Sequence, residues 1–110
     1  MKLTDVPCGM IDWASVPRTT HPGETGSAVV RSRMIGDIQL RMVEYGAGYR
    51  ADHWCDKGHI LLVAEGAVSL EHRDGTHYEL AAGTSWHVAD NGASAHRVVC
   101  ARGATVFIVD

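Results

Sequence analysis

His53, Cys55 and His59 fall close together in the stretch GYRADHWCDKGHILLVAEG, positions 48–66. Their spacings of two and four give all three the same parity. On an extended chain that parity puts His53 and Cys55 on one face, and His59 returns to it after the Asp56-Lys57-Gly58 turn. Two imidazoles and a thiolate converging at one point make a site for a borderline or soft divalent metal, better than for Mg2+ or Ca2+. Three protein groups leave a tetrahedral site open or in need of a fourth ligand. His96 is the first choice for it, because it opens a strand after the Asp90-Asn91-Gly92 turn; His87 is the rival. His21, His72 and His77 lie in polar or turn-like surroundings and read as solvated.

Strands must position these groups. Short runs of alternating apolar and polar residues recur at 28–34, 38–45, 59–64, 68–73, 84–89, 96–101 and 105–109, and no helical period survives past the first thirty residues. Glu65-Gly66-Ala67, Asp74-Gly75 and Asn91-Gly92 read as the turns between them. Seven or more short strands at this spacing predict an all-β sandwich or barrel. Pro7, Pro17 and Pro22 all fall in the first 26 residues, so 1–26 reads as an irregular arm with one helical turn near 11–15, pinned by Trp13 to a barrel formed by 27–110.

A chain of 110 residues, 45% hydrophobic, has room for a single core. Ten Lys and Arg stand against 13 Asp and Glu, a net charge of −3; this gives no electrostatic reason to bind nucleic acid or anionic lipid. No apolar run approaches the ~20 residues that span a bilayer, and no secretory leader is evident. The three cysteines, Cys8, Cys55 and Cys100, form an odd set without CxxC spacing. That argues against a disulfide framework or zinc ribbon and predicts free thiols in a reducing cytoplasm. There is no GxSxG, phosphate loop or GxGxxG.

The 48–66 stretch resembles the first motif of the cupin superfamily, Gly, five residues, His-x-His, three or four residues, Glu, six residues, Gly. Here four residues separate Gly48 from His53, Cys55 stands at the second His, and His59 stands at the Glu. A weaker second motif runs from Gly83, with Ala89 at the usual proline and His96 two positions late. Ala51-Asp52-His53-Trp54-Cys55, Lys57-Gly58-His59, Val88-Ala89-Asp90-Asn91 and Phe107-Ile108-Val109-Asp110 resemble more closely a small bacterial group of DHCW-motif cupin-fold proteins. The resemblance implies a single double-stranded β-helix, or jelly-roll barrel, with a metal site, and cupins of this size commonly pair as homodimers. Exchanging a carboxylate and an imidazole for His59 and Cys55 softens the site, so Zn2+ leads, with Cu, Ni or Fe behind it.

Around such a metal, Arg41, Tyr45, Tyr49, Arg50 and Trp86 could orient an anionic or aromatic small molecule at the barrel mouth. Asp52 and Asp56 flank the ligands and could accept from a ligating imidazole N–H. Two functions remain: a metal-dependent enzyme acting on a small molecule, or a non-catalytic metal or small-ligand binding module such as a sensor. The ligand count separates them, since an open position favours the enzyme and a closed tetrahedron the binding module.

Overall fold

The structure, a computed structural model, describes residues 3–110. A 3-10 turn at Trp13–Ser15 is capped by Asp12, which accepts hydrogen bonds from Ala14 N and Ser15 Oγ. Nine strands follow among the described residues: β1 (Thr19–Pro22), β2 (Ser27–Ile35), β3 (Ile38–Tyr45), β4 (Tyr49–Arg50), β5 (His59–His72), β6 (His77–Ala81), β7 (Ser85–Val88), β8 (His96–Cys100) and β9 (Ala104–Val109). They pair antiparallel in the order β1-β2-β3-β9-β5-β8-β4, with β6 and β7 also paired to β5. The sheet curls on itself into a barrel, as the alternating pattern predicts.

Alternation decides which side chains fill it. Along β9, Ala104, Val106 and Ile108 are buried; they meet Val43 and Tyr45 of β3, and Leu61 and Val63 of β5. Val63 and Val106 are register partners and fully buried; each such aliphatic side chain contributes about 1.5–3 kcal/mol. On the opposite face, Trp13 packs edge-on against Phe107, ring centroids 6.3 Å apart, and fastens the amino-terminal segment to the barrel.

The structure corrects the expected turn at 65–67. Residues 59–72 form one bent strand, with an irregularity between Val63 and Glu65 and a left-handed Gly66 (φ 76°). The first half of β5 pairs with β7 and β9 and the second with β6 and β8, so this bend closes the barrel. A side chain at Gly66 would overlap the carbonyl oxygen of Gly103. Gly66→Ala is accordingly expected to destabilise the fold by about 2 kcal/mol or more, read from the urea midpoint; an unchanged midpoint would contradict this account of the bend.

Strands β1, β4 and β6 had no clear alternating signal. β1 is wholly exposed and β6 buries only Leu80. Backbone pairing to a neighbour, rather than an apolar face, makes them strands.

Candidate metal centre

Trp54 sets the direction of the first ligand segment. Its ring lies under the Arg97 guanidinium, 4.3 Å from the centroid, with Arg73 at 5.6 Å; Arg97 is held in turn by Glu71 and Glu24. The adjacent Cys55 bridges to the first residue of β8: Cys55 N donates to His96 O at 2.8 Å and His96 N to Cys55 O at 2.9 Å. Two candidate ligands are thus placed opposite one another by backbone hydrogen bonds. His59 is delivered by a close approach at Gly58, where a Cβ would press within 3 Å of Asp90 N and Val88 O. Gly58 N donates to Asp90 Oδ1, and Asn91 N to Asp56 O, tying the two loops together.

The result is a compact donor set. One atom each from Cys55, His59 and His96 lie within 4.8 Å of one another. The His59 Nε2 to Cys55 Sγ distance is 3.5 Å, and Lys57 N donates to the same sulfur at 3.4 Å. His96 is 4% exposed, its ring packed against those of Trp86, His59 and His72 at 4.9, 5.1 and 5.9 Å.

His53 is not brought to the other three. Its side chain is 77% exposed, with Nδ1 2.7 Å from Asp52 Oδ1. The shared parity of His53 and Cys55 holds only on regular extended chain, and residues 52 and 53 form a bend that turns His53 outward. His87 lies exposed on the face of β7 opposite the buried Trp86. His72, expected in solvent, is buried at the end of β5, where it is the register partner of His96 and its Nδ1 meets Ser94 O at 2.7 Å. Cys100 is a buried thiol directed at Ala67 O.

A carboxylate unforeseen in this role completes the arrangement. Asp110 is a register continuation of the inward residues of β9, and its side chain is 3% exposed. Its Oδ2 lies 2.9 Å from His59 Nδ1, somewhat off the line of a good hydrogen bond, and accepts from Arg41 Nη2 at 2.8 Å. Gln39 exchanges both backbone hydrogen bonds with Asp110 and anchors it. A carboxylate on Nδ1 holds that nitrogen as N–H and leaves the Nε2 lone pair toward Cys55. The inward parity shared by Ala104, Val106, Ile108 and Asp110 is the sequence signal that marks it. Asp52 and Asp56 do not take this place; Asp52 pairs with His53.

Burial pushes the pKa of His59 below the usual imidazole value, against the opposing pull of Asp110. Burial, with help from His59 and His72, pushes His96 down to about 4. Both imidazoles are therefore neutral and able to ligate at pH 7. A depressed histidine pKa means that the unfolded chain takes up the proton first, so the stability it contributes is present above 6.5 and lost as pH falls toward 4. Chelator-treated protein is expected to lose on the order of 2 kcal/mol across that window, measured by urea melts; a flat profile would contradict the burial of a neutral His96.

Four buried polar atoms here lack a good hydrogen-bond partner: Arg41 Nε, His59 Nδ1, His96 Nε2 and Asp110 Oδ1. Such atoms are rare in folded proteins and concentrate where an ion or ligand completes the set. The donor chemistry of Cys55, His59 and His96 fits a divalent transition metal, whereas Arg41 Nε and His59 Nδ1 carry hydrogens and do not ligate one.

Arg41, which bonds Asp110, lines a cavity of about 460 Å3 with Tyr45, Tyr49, Ala28, Val30 and Val43, and with Asp52 and His53 as further lining residues. Trp86 does not line it but packs on His96. Tyr45 and Tyr49 stack at 4.9 Å, and burial raises both phenol pKa values, so they remain hydroxyl donors.

No protein-family model matches the chain, and no curated protein matches it in sequence. Solved structures do match. A sugar phosphate isomerase from a cupin superfamily, from Silicibacter pomeroyi, superposes over 92% of this chain and 74% of its own with a TM-score of 0.71 and 17% identity. The barrel has the cupin fold. A cupin-2 domain from Rhodospirillum rubrum matches over 92% of this chain and 72% of its own, TM-score 0.71, identity 14%. A cupin-2 domain containing protein from Shewanella frigidimarina covers 74% and 78%, TM-score 0.60, identity 18%. At these identities the likeness concerns the fold of this small cupin barrel and leaves its chemistry to the site.

Proposed function

We propose that this cupin barrel binds a divalent transition metal through Cys55, His59 and His96 and acts with it on a small molecule at the barrel mouth. Zn2+ is the leading metal by donor type, with Cu, Ni or Fe behind it. The observation that carries this reading is the convergence of one donor atom each from Cys55, His59 and His96 within 4.8 Å of one another. Three protein ligands leave room for water or substrate, and a metal there would supply Lewis acidity or a bound water of lowered pKa. Asp110 would orient His59, and Arg41 would hold Asp110. A neighbour of the same fold is named as a sugar phosphate isomerase, which supports a small-molecule substrate without specifying one.

The alternative is a non-catalytic metal or small-ligand binding or sensor module. The Cys55 thiolate favours it, because sulfur donation lowers the charge on the metal and weakens it as a Lewis acid. We place the protein in the cytoplasm, supported by its three free thiols. No helix among the described residues is long and apolar enough to cross a membrane. A homodimer is proposed through an exposed strand edge and the amino-terminal arm, with sedimentation velocity as its test.

Elemental analysis of protein purified without added metal tests the central reading. The expected result is a transition metal approaching one equivalent; below about a tenth of an equivalent, with no uptake on titration, the reading is lost. Cys55→Ser is expected to lower occupancy severalfold and the exposed His77→Ala to leave it unchanged. Equal behaviour of the two would remove Cys55 from the site.

A further inference from the structure

The cavity beside the metal centre has a chemistry of its own. Arg41 lines it, with a side chain 24% exposed, yet its Nε is buried and without a partner. Only one guanidinium contact is committed, Nη2 to Asp110. Around the cation stand the apolar side chains of Ala28, Val30 and Val43 and the two stacked tyrosines. A volume of about 460 Å3 lies in the range of small-molecule pockets, which combine apolar walls with a few placed polar groups.

We infer that this cavity is a binding site for a small organic monocarboxylate with a flat or apolar body, its carboxylate held by Arg41. The assignment rests on the small-molecule reading above and names the ligand class. A carboxylate in the cavity accepts charge-assisted hydrogen bonds from the partly exposed Arg41 guanidinium, whose planar fork suits its geometry. A neutral ligand without an acceptor leaves the donor unmatched in a low-dielectric wall, at the cost of desolvation. The hydroxyls of Tyr45 and Tyr49 add neutral donors, and their rings a flat apolar surface for the body of the acid.

Charge selects one negative charge over two. Asp110 shares Arg41, and Asp52 also lines the cavity, so a dianion such as inorganic phosphate meets two carboxylates across a short distance. The charge of Asp52 is engaged by His53, whose hydrogen bond holds its pKa below the usual carboxylate value. Arg41 already shares its charge with Asp110, so a monoanion adds one negative charge to this wall where a dianion adds two.

Benzoate, its neutral isostere benzamide, and inorganic phosphate serve as probes for calorimetric titration at pH 7 against both chelator-treated and Zn2+-titrated protein. Benzoate is expected to bind chelator-treated protein at least tenfold more tightly than benzamide or phosphate. Arg41→Gln should remove that preference, and Arg41→Lys should weaken it, since an ammonium keeps the charge but not the fork. Methyl NMR on the unsubstituted protein keeps the test independent of variant folding: resonances of Ala28, Val30 and Val43 should shift with benzoate while those of Leu80 do not. Equal binding of benzoate and benzamide, tighter binding of phosphate, or shifts away from these three residues would overturn the assignment. Benzoate binding seen only with Zn2+ would also overturn it, since the anion would then be a metal ligand. Metal uptake without benzoate binding defeats this inference alone, whereas benzoate binding without metal uptake defeats the metal reading alone.

Discussion

Replacing His96 by alanine is expected to reduce bound metal to less than about a tenth of an equivalent and to lower stability by about 2–4 kcal/mol. Both effects come from one ring. It offers a ring nitrogen to the donor cluster, and it fills space among Trp86, His59 and His72. Truncation leaves a cavity under Trp86 that the backbone cannot collapse to fill, because residue 96 is tied to Cys55 on one side and to His72 on the other. Metal analysis and urea melts read the two effects separately. His96→Gln should recover much of the packing but not the metal, so a variant that kept its metal in either form would remove His96 from the centre.

Asp110→Asn is expected to weaken metal affinity about 10–100-fold, measured by competition with a chromophoric chelator. Asparagine keeps the shape of the side chain but loses the charge that holds His59 Nδ1–H and Arg41. It also leaves the Arg41 guanidinium without its anion. Arg41 is about a quarter exposed, so solvent screening limits the expected loss of stability to about 1–3 kcal/mol, below that of a fully buried broken pair. Asp52→Asn is the contrasting change. Both members of its pair with His53 are largely exposed, and it should alter metal affinity less than about twofold. Equal losses in the two variants would show that Asp110 acts only through general stability.

Much of the fold could be read from alternation. The stretches 28–34, 38–45, 84–89, 96–101 and 105–109 coincide closely with β2, β3, β7, β8 and β9, because one apolar face per strand is what a barrel core demands. The strands without an alternating signal, β1, β4 and β6, bury little side-chain surface and are held by backbone pairing. Pairing leaves no mark in composition. In sequence the bend at Gly66 reads as a turn because glycine after a charged residue marks both; only the neighbours β8 and β9 distinguish a strand that changes partners from one that stops.

For the candidate site, residue type and spacing single out four candidate ligands, and the structure brings three of these side chains together. Cys55 and His59 were legible because a short segment limits how far apart its side chains can lie. His96 was legible because a strand opening after a turn offers its first side chain to the barrel end. The separation of His53 was not, since parity describes an extended chain and the bend at 52–53 breaks it. Asp110 and Arg41 show the same limit from the other side: each stands at an inward position of its strand, and one strand register sets their charges against each other.

By itself, then, the sequence determined a β-barrel and a set of candidate donor residues, because alternation and residue type are local properties of the chain. Only the tertiary structure decided which donors meet, which carboxylate orients His59, and that a cavity with a cationic wall adjoins the centre. Those depend on strand register and on backbone bends, which are set by long-range pairing between residues far apart in the chain.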